Sequence, residues 1–408
     1  MSNPLTLHAD VTIIGGGVVG LTLALAIAQH DVSVLVVDKA QPHELADAGT
    51  MAAHTFSSRV SAISHASERV FSDLGIWHNI QRKQAYVGME VWDKDGFGHI
   101  QFTSDEINRD ALGHIIENSV LISALLDRVH QDDNIQVLQG TALLNAEHRQ
   151  LHAGDDASAQ YQITLDNQQT VLSSLLVGAD GANSYVKKMM GFTETFWDYE
   201  HTAIVANIKT QKPHGNIARQ AFTPLGPLAF LPLPDAHQCS IVWSQSTQRA
   251  KHLMALDTPA FCKALYEDID GQLGLCELTS ERSSFPLRMR YSRQWFGDSV
   301  VLVGDAAHTI HPLAGQGANL GIADVITLAA CIQKSKSTRG IVNDYHCLRQ
   351  YERTRKSEAM ISIATMEGFK RLFGGNQPLQ KLVRNIGLKS ANNIRPLKQF
   401  FIQQASKA

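Results

Sequence analysis

The chain has 408 residues, and its 36 basic and 39 acidic side chains give a formal net charge of -3 at pH 7. This length suits a large core and more than one domain, and the slightly acidic balance gives no reason to expect a nucleic-acid partner. Five scattered cysteines without CxxC spacing predict neither a disulfide framework nor a zinc site. The simplest compartment is therefore a reducing cytoplasm.

The first predicted element is a strand followed by a glycine-rich turn and a helix. An apolar run at 11–14 leads into Gly15-Gly16-Gly17-Val18-Val19-Gly20, and a helix-like stretch covers 18–29. Gly15 permits a tight turn, Gly17 lets backbone amides approach a pyrophosphate, and Gly20 lets the helix lie close to the strand. A second strand at 32–37 ends in Asp38, which is placed to accept hydrogen bonds from a ribose. The segment predicts a dinucleotide-binding fold.

Residues 11–28 also form an uncharged stretch of the length that a membrane span requires, with Gly16 and Gly20 as a small-xxx-small pair. No lysine or arginine precedes it, four glycines interrupt it, and Asp38 follows at the spacing of a nucleotide fold. The dinucleotide interpretation is preferred, and no signal peptide is predicted.

Two later segments repeat the pattern of a strand followed by an acidic turn. The strand-like run at 175–177 leads into Gly178-Ala179-Asp180-Gly181, which alone is typical of a strand end. A strand at 299–303 leads into Gly304-Asp305, and a glycine-rich stretch then opens a long helix near Gly317. Asp305 is placed to hold a ribityl hydroxyl, and the helix N-terminus is placed to face a flavin edge with free amides. Together the three segments predict one FAD site.

The stretch before and within the start of this helix carries a longer signature. The run His311-Pro312-Leu313-Ala314-Gly315-Gln316-Gly317-Ala318-Asn319-Leu320-Gly321-Ile322-Ala323-Asp324 resembles, position by position, that of the ubiquinone-biosynthesis flavin hydroxylases, aromatic-ring monooxygenases related to p-hydroxybenzoate hydroxylase. The likeness extends over residues 10–388, including 59–63, 112–118, 222–224 and 228–233. Within the family, residues 89–95, 196–199 and 349–353 look most like the bacterial branch that acts on 2-octaprenylphenol.

The resemblance implies a mixed α/β fold. It has a Rossmann-like FAD-binding domain of the p-hydroxybenzoate hydroxylase type, a second substrate domain built on an antiparallel sheet, and C-terminal helices. We predict an FAD-binding domain over 1–75, 105–188 and 285–365, a substrate domain over 76–104 and 189–284, and a basic helical region over 366–408. Phe222, Phe230 and Trp243 lie in the substrate domain, where core packing is preferred over covering a prenylated ring.

The implied enzyme is an FAD-dependent monooxygenase that uses NAD(P)H and O2 to hydroxylate a polyprenylphenol in ubiquinone biosynthesis. The expected reaction converts 2-octaprenylphenol to 2-octaprenyl-6-hydroxyphenol through a flavin C4a-hydroperoxide. Three alternatives stay open: hydroxylation at a later ring position of the same pathway, an FAD-dependent isoprenoid reductase, and a flavin-binding scaffold without activity.

The resemblance also implies roles for single residues. The ADP half, the pyrophosphate and the ribityl chain of FAD would be held by Gly15, Gly17, Gly20, Asp38, Arg59 and Asp305. The amides of Gly317, Ala318 and Asn319 would face the pyrimidine edge of the flavin. Pro312 would lie near the ring where oxygen reacts, and Asp180 near the groove shared with NAD(P)H. His308 and His311 are candidate bases, with a structural role preferred, and no metal site is predicted.

Two positions depart from the family pattern. Lys187 stands where the Asp-Gly motif of relatives ends in arginine, which keeps the charge but loses the bidentate fork. Asn118 stands where many relatives carry arginine. Both changes concern specific contacts to FAD or NAD(P)H and leave the fold prediction unchanged.

The last stretch, 366–408, carries basic side chains against a single acid, Glu367, and apolar residues recur at helical spacing over 379–386. This predicts a basic amphipathic surface with two interpretations about equally open: packing on the protein, or peripheral contact with the inner membrane surface. Other ubiquinone-biosynthesis proteins and a second copy of the chain are further candidate partners.

Overall fold

The computed structural model of this chain describes residues 6–41, 56–149, 160–310 and 317–373. The helices in these ranges are α1 (Val18–Ala28), α2 (His65–Asp73), α3 (Asn118–Val129), α4 (Tyr185–Met189), α5 (Thr247–Ala255), α6 (Thr258–Asp268), α7 (Gly317–Arg339) and α8 (Tyr345–Phe373). The strands are β1 (Thr6–Ile14), β2 (Val34–Asp38), β3 (Val60–Ile63), β4 (Lys83–Tyr86), β5 (Gly88–Asp93), β6 (His99–Thr103), β7 (Gly113–Glu117), β8 (Ile135–Gln139), β9 (Leu143–His148), β10 (Tyr161–Leu165), β11 (Thr170–Gly178), β12 (Glu194–Thr210), β13 (Ile217–Thr223), β14 (Gly226–Pro232), β15 (Gln238–Ser246), β16 (Cys276–Leu278), β17 (Ser283–Ser292), β18 (Phe296–Gly297), β19 (Val300–Leu302) and β20 (His308–Thr309).

The first sheet has the strand order β18-β19-β11-β1-β2-β8, with β9 and β10 joined to β11. Strands β19, β11, β1, β2 and β8 run parallel, and their apolar side chains form one core with α1, α3, α7 and α8. Near-continuous apolar runs suit parallel strands that are covered on both faces. The strands predicted near 11–14, 32–37 and 299–303, and the helix predicted over 18–29, are confirmed.

The second sheet has the order β20-β17-β12-β15-β14-β13-β5-β6, with β16 beside β12. The second sheet is antiparallel, as predicted, except that β13 and β5 pair in parallel. These strands are far apart in sequence, so no hairpin between them imposes an antiparallel direction. A third, three-stranded sheet has the order β3-β7-β4.

One face of the second sheet packs against α5 and α6. Phe230 and Trp243 are buried in that core, where the Trp243 ring meets Phe261 edge-on at 5.6 Å between centroids. This confirms core packing for these two aromatics. Their neighbours Ala229 and Val242 therefore point to the opposite face, because side chains alternate along a strand.

None of the helices in the described ranges is long and apolar enough to cross a membrane. Residues 11–28, the candidate span, are divided between β1, a glycine turn and α1. The predicted domain limits stay a prediction. Most of the basic stretch at 366–408 lies outside the described residues.

The glycine turn after β1 is packed against its neighbours. Gly15 has φ of +114°, and a Cβ there would overlap the carbonyl oxygen of Ala179 at the end of β11. A Cβ on Gly20 would overlap the carbonyl oxygen of Gly15. Close packing of α1 on the turn therefore requires glycine at both positions.

We expect Gly20→Ala to lower the free energy of unfolding by about 1–3 kcal/mol, because the new methyl group meets rigid backbone. Gly17→Ala is the matched control, since a Cβ there has no neighbour within 4 Å. Chemical denaturation of both proteins without added ligand measures the difference. Equal stability of the two variants would contradict the packing argument.

Candidate functional site

A cavity of about 830 Å³ lies between the carboxyl ends of the first sheet and the free face of the second. Its first wall contains the N-terminal ends of α1 and α7 and the turns after β11 and β19. Its second wall is formed by side chains of β12, β13, β14, β15 and β17. A larger groove of about 1410 Å³ runs over α1, α2 and α7, but none of the predicted site residues lines it.

The N-terminus of α1 opens into this cavity. Gly17 is the N-cap residue, and no side chain caps the helix there. Gly17, Val18 and Val19 line the cavity, and the position of a Cβ on Gly17 is empty. The first amides of α1 and its positive dipole end therefore face open space, which is an arrangement that binds phosphate.

The Asp38 carboxylate serves the glycine turn. One oxygen accepts a hydrogen bond from the Gly16 amide, and the other accepts from the Ala40 amide at 2.7 Å. Asp38 is half-buried and does not contribute to the cavity wall. Its carboxylate thus fixes the turn before α1, and the ribose contact stays a prediction.

Three guanidinium groups meet at the cavity. Arg59 is exposed and lines it from the first wall, while Arg288 and Arg290 line it from the second. Arg290 donates to the carbonyl oxygen of Ala182 at 3.0 Å and so holds the turn after β11. This concentration of positive charge beside a free helix N-terminus favours an anionic ligand.

Asn118 also lines the cavity. Its backbone amide donates to the Arg59 carbonyl oxygen at 3.0 Å, and its side-chain oxygen accepts from the Ser61 hydroxyl at 2.7 Å. Asn118 therefore joins α3 to the segment that presents Arg59.

Asp305 lies in the turn after β19, with its side chain open to the cavity. The pKa of this carboxyl is raised, mainly because the surrounding protein encloses it. His308 lowers the pKa, and the negative charge of Asp324 raises it. A ligand hydroxyl that donates to Asp305 would offset the cost of holding the charged form there.

The N-terminus of α7 is the second helix end at the cavity, where Gly317 and Ala318 line the wall. The Asn319 side chain, only 3% exposed, points into the protein. Its oxygen accepts from the Ser64 amide at 3.0 Å and the Ser67 hydroxyl at 2.8 Å, and its nitrogen donates to Ala62. Asn319 therefore clamps α2 to α7, while the predicted role of the amides stays a prediction. His311 and Pro312 lie outside the described residues.

The turn that carries Asp305 rests on a buried network that the sequence analysis missed. The Asp324 carboxylate is fully buried and accepts from the Gly304 amide at 2.9 Å, His308 Nε2 at 2.7 Å and Arg355 Nε at 2.6 Å. His308 also stacks on Trp295 with 4.8 Å between ring centroids. The structural role preferred for His308 agrees with this geometry, and no local pattern marked Arg355.

Burial raises the pKa of Asp324, but the neighbouring His308 and Arg355 side chains outweigh burial and lower it. Arg355 is itself only 2% exposed, so the pair is held in a low-dielectric setting. The carboxylate is ionised because its donors compensate its charge.

Asp180 and Lys187 also have partners within the protein. One Asp180 oxygen accepts from the Tyr185 amide at 2.6 Å and the Val186 amide at 3.1 Å, which caps α4. Lys187 is 2% exposed and pairs with Glu194 at 2.5 Å. In this turn, Gly181 rather than Asp180 reaches the cavity wall.

Comparisons with known proteins agree with this geometry. A family described as "FAD binding domain" matches residues 8–362. The 3-demethoxyubiquinol 3-hydroxylase of Escherichia coli (strain K12) is 33% identical over 398 residues, covering 97% of this chain and 98% of its own length. The human "Ubiquinone biosynthesis monooxygenase COQ6, mitochondrial" is 31% identical over 439 residues, covering 98% of this chain and 92% of that protein. The crystal structure of p-nitrophenol 4-monooxygenase PnpA from Pseudomonas putida DLL-E4 has a TM-score of 0.77 at 15% identity, with 98% of each chain covered.

We expect Asp305→Ala to weaken FAD binding by about 10- to 100-fold, because a charged hydrogen-bond acceptor in the cavity is lost. Gly17→Val should have at least as large an effect, since its side chain fills the space beside the α1 amides. The flavin content per chain and a fluorescence titration measure both. Asp298→Ala removes an exposed acid that does not line the cavity and is the control; a yellow Asp305→Ala protein with the parent affinity would refute the role of Asp305.

We expect Arg355→Met to lower the free energy of unfolding by about 3–5 kcal/mol, because Asp324 loses a buried charge partner. In the parent, the lowered pKa of Asp324 contributes stability above about pH 4 that is lost as pH falls further. In the variant, His308 still lowers the pKa of Asp324 but both effects of Arg355 are lost, so this pKa should rise and the pH-dependent contribution should become smaller.

Chemical denaturation of the FAD-free proteins between about pH 3 and 8 tests this change, which should be a weaker loss of stability below about pH 4 in the variant. Arg353→Met removes an exposed arginine from the same helix and should leave both the stability and its pH dependence unchanged. If Arg355→Met has the same stability and pH dependence as Arg353→Met, the buried pair of Asp324 and Arg355 does not determine either property.

Proposed function

The chain belongs to the FAD-binding domain family of flavin-dependent monooxygenases, and from this premise we propose that it hydroxylates the aromatic ring of a prenylated phenol in ubiquinone biosynthesis. NAD(P)H and O2 are the co-substrates of such a reaction. The mixed α/β fold is that of the flavin monooxygenases, which confirms the predicted fold class.

The observation that carries this proposal is the composition of the two cavity walls. The first wall offers helix N-termini, Arg59 and Asp305, which suit a dinucleotide. The second wall offers mostly small apolar side chains from the sheet, which suit a ring with a hydrocarbon substituent. A cofactor and an aromatic substrate would therefore share one space.

The described residues fit FAD. The empty position above Gly17 and the uncapped amides of α1 suit the pyrophosphate, with Arg59 as a counter-charge. Asp305 would accept from the ribityl chain, and the N-terminus of α7 would face the flavin ring. When bound and reduced, FAD supplies the activation of oxygen that the protein's own side chains lack.

The chain's own contribution is to bind, orient and exclude water. Val205, Val242 and Ala229 cover the second wall with apolar surface, which limits access of water to the reacting ring. A substrate ring that packs against the second wall would be held at a fixed distance from a flavin on the first wall. Such positioning of reactants is a large part of catalysis.

The ring position follows best from the relatives. The E. coli relative is named for hydroxylating 3-demethoxyubiquinol, a ring that already carries further oxygen substituents. We therefore propose a later ring position as the principal reaction. First hydroxylation of 2-octaprenylphenol is the second candidate, because residues 89–95, 196–199 and 349–353 resemble the branch that acts there.

Deletion of the protein from its cells should cause a late, substituted intermediate of the quinone pathway to accumulate, detected by mass spectrometry. Resupply of the parent should remove this intermediate, and resupply with Gly17→Val should not. Accumulation of 2-polyprenylphenol instead would move the reaction to the first ring position, and an unchanged quinone pool would contradict the proposal.

Purified enzyme under ¹⁸O2 separates the hydroxylase from a reductase of the same fold. A hydroxylase places one labelled oxygen atom on the ring and requires air for turnover. Conversion of an isoprenoid substrate without oxygen would support the reductase instead, and FAD binding without any NAD(P)H oxidation would support a scaffold.

A further inference from the structure

The cavity-facing side of the second sheet has a row of four residues in register. Val205 lies opposite Val242, Val242 opposite Ala229, and Ala229 opposite Gln220, across β12, β15, β14 and β13. Residues opposite one another on adjacent strands share a face of the sheet. All four line the cavity, so an apolar row ends in one carboxamide.

Gln220 is buried, with only 4% of its surface exposed, and that surface opens into the cavity. Across the described part of the chain its side-chain amide has no hydrogen-bond partner. Its amide atoms are not among the side-chain atoms of the described residues that the surrounding protein encloses without a partner, so they are open to the cavity. Its position at a ligand cavity gives it a use, because a ligand can supply the missing partner.

Other polar side chains of the second wall each have a partner within the protein. The Ser244 hydroxyl lies 3.4 Å from His201 Nδ1. Arg288 pairs with Asp198 at 3.3 Å, and Arg290 donates to a backbone carbonyl. The remaining N–H groups of the two arginines can only donate, whereas Gln220 can both donate to a ligand and accept from it.

A carboxamide can accept a hydrogen bond from a phenol O–H and donate one to an oxygen that has no proton. We propose that Gln220 binds the hydroxyl of the substrate ring and makes the cavity select a free phenol over its ether. This inference rests on the proposed function. The apolar row beside Gln220 would hold the ring carbons, so that the amide fixes how the ring is turned.

The test compares the FAD-loaded parent with Gln220→Met, which keeps the unbranched shape and removes the amide. The probes are a phenol with a short prenyl chain and its O-methyl ether, titrated by their effect on the flavin absorbance. The parent should bind the phenol about tenfold more tightly than the ether, and Gln220→Met should bind both with similar affinity. The variant should also raise KM for the phenol and yield less hydroxylated product per NAD(P)H oxidised.

Gln245→Met is the matched control. Gln245 is fully buried in β15 and, within the described residues, both polar atoms of its amide lack a partner, but it does not line the cavity. It should keep the parent preference for the phenol. A loss of preference in both variants, or in neither, would overturn the role of Gln220.

If Gln220→Met fails to retain FAD, Gln220→Asn keeps the amide but withdraws it by one methylene group. That variant should bind the phenol more weakly than the parent and bind the ether nearly as well. If it binds the phenol with the parent's affinity, the inference is overturned. A parent enzyme that hydroxylates no prenylated phenol overturns the proposed function and this inference together. A parent that hydroxylates the phenol while Gln220→Met keeps its preference overturns the inference alone.

Discussion

The buried carboxylate of Asp324 is the interaction on which the cavity depends. It accepts from the Gly304 amide, from His308 and from Arg355, so one side chain joins the turn of Asp305 to α7 and α8. A charge without contact to water is tolerated only when its donors are complete. A displacement of the turn that carries Asp305 would break this compensated pair, so the network holds that part of the first wall in place.

Two close approaches of backbone complete that wall. Gly15 and Gly20 bring α1 onto the ends of β1 and β11, and Gly321 lets α7 lie against Val19 of α1. Both helix N-termini consequently reach the same cavity. The second sheet covers it with alternating side chains, apolar toward the cavity and apolar toward α5 and α6. The groups that suit a charged ligand thus lie on the first wall, and the apolar side chains that suit a ring lie on the second.

The sequence predicted the parts that local patterns encode. The glycine turn, the strands of the first sheet and the acidic turn at Asp305 each have a short signature, and the structure places them around one cavity. It could not predict that Arg355 pairs with Asp324, 31 positions earlier, because helix periodicity does not specify distant partners. It also could not orient β14, whose two faces are both apolar, so that Ala229 rather than Phe230 lines the cavity. The alternation of side chains along a strand does not show which face points to the cavity when both faces are apolar and covered.

The chain order of the first sheet has a consequence for biosynthesis. Val11 pairs with Val34 on one side but with Leu175 on the other, and Leu176 pairs with Val300. Contacts so distant along the chain close large loops and form slowly. Because Asp324 also requires Arg355, the nascent polypeptide must emerge beyond residue 355 before the first wall of the cavity can be completed. Cofactor binding would then follow the synthesis of this part of the chain, and only molecules with a completed first wall would bind the cofactor.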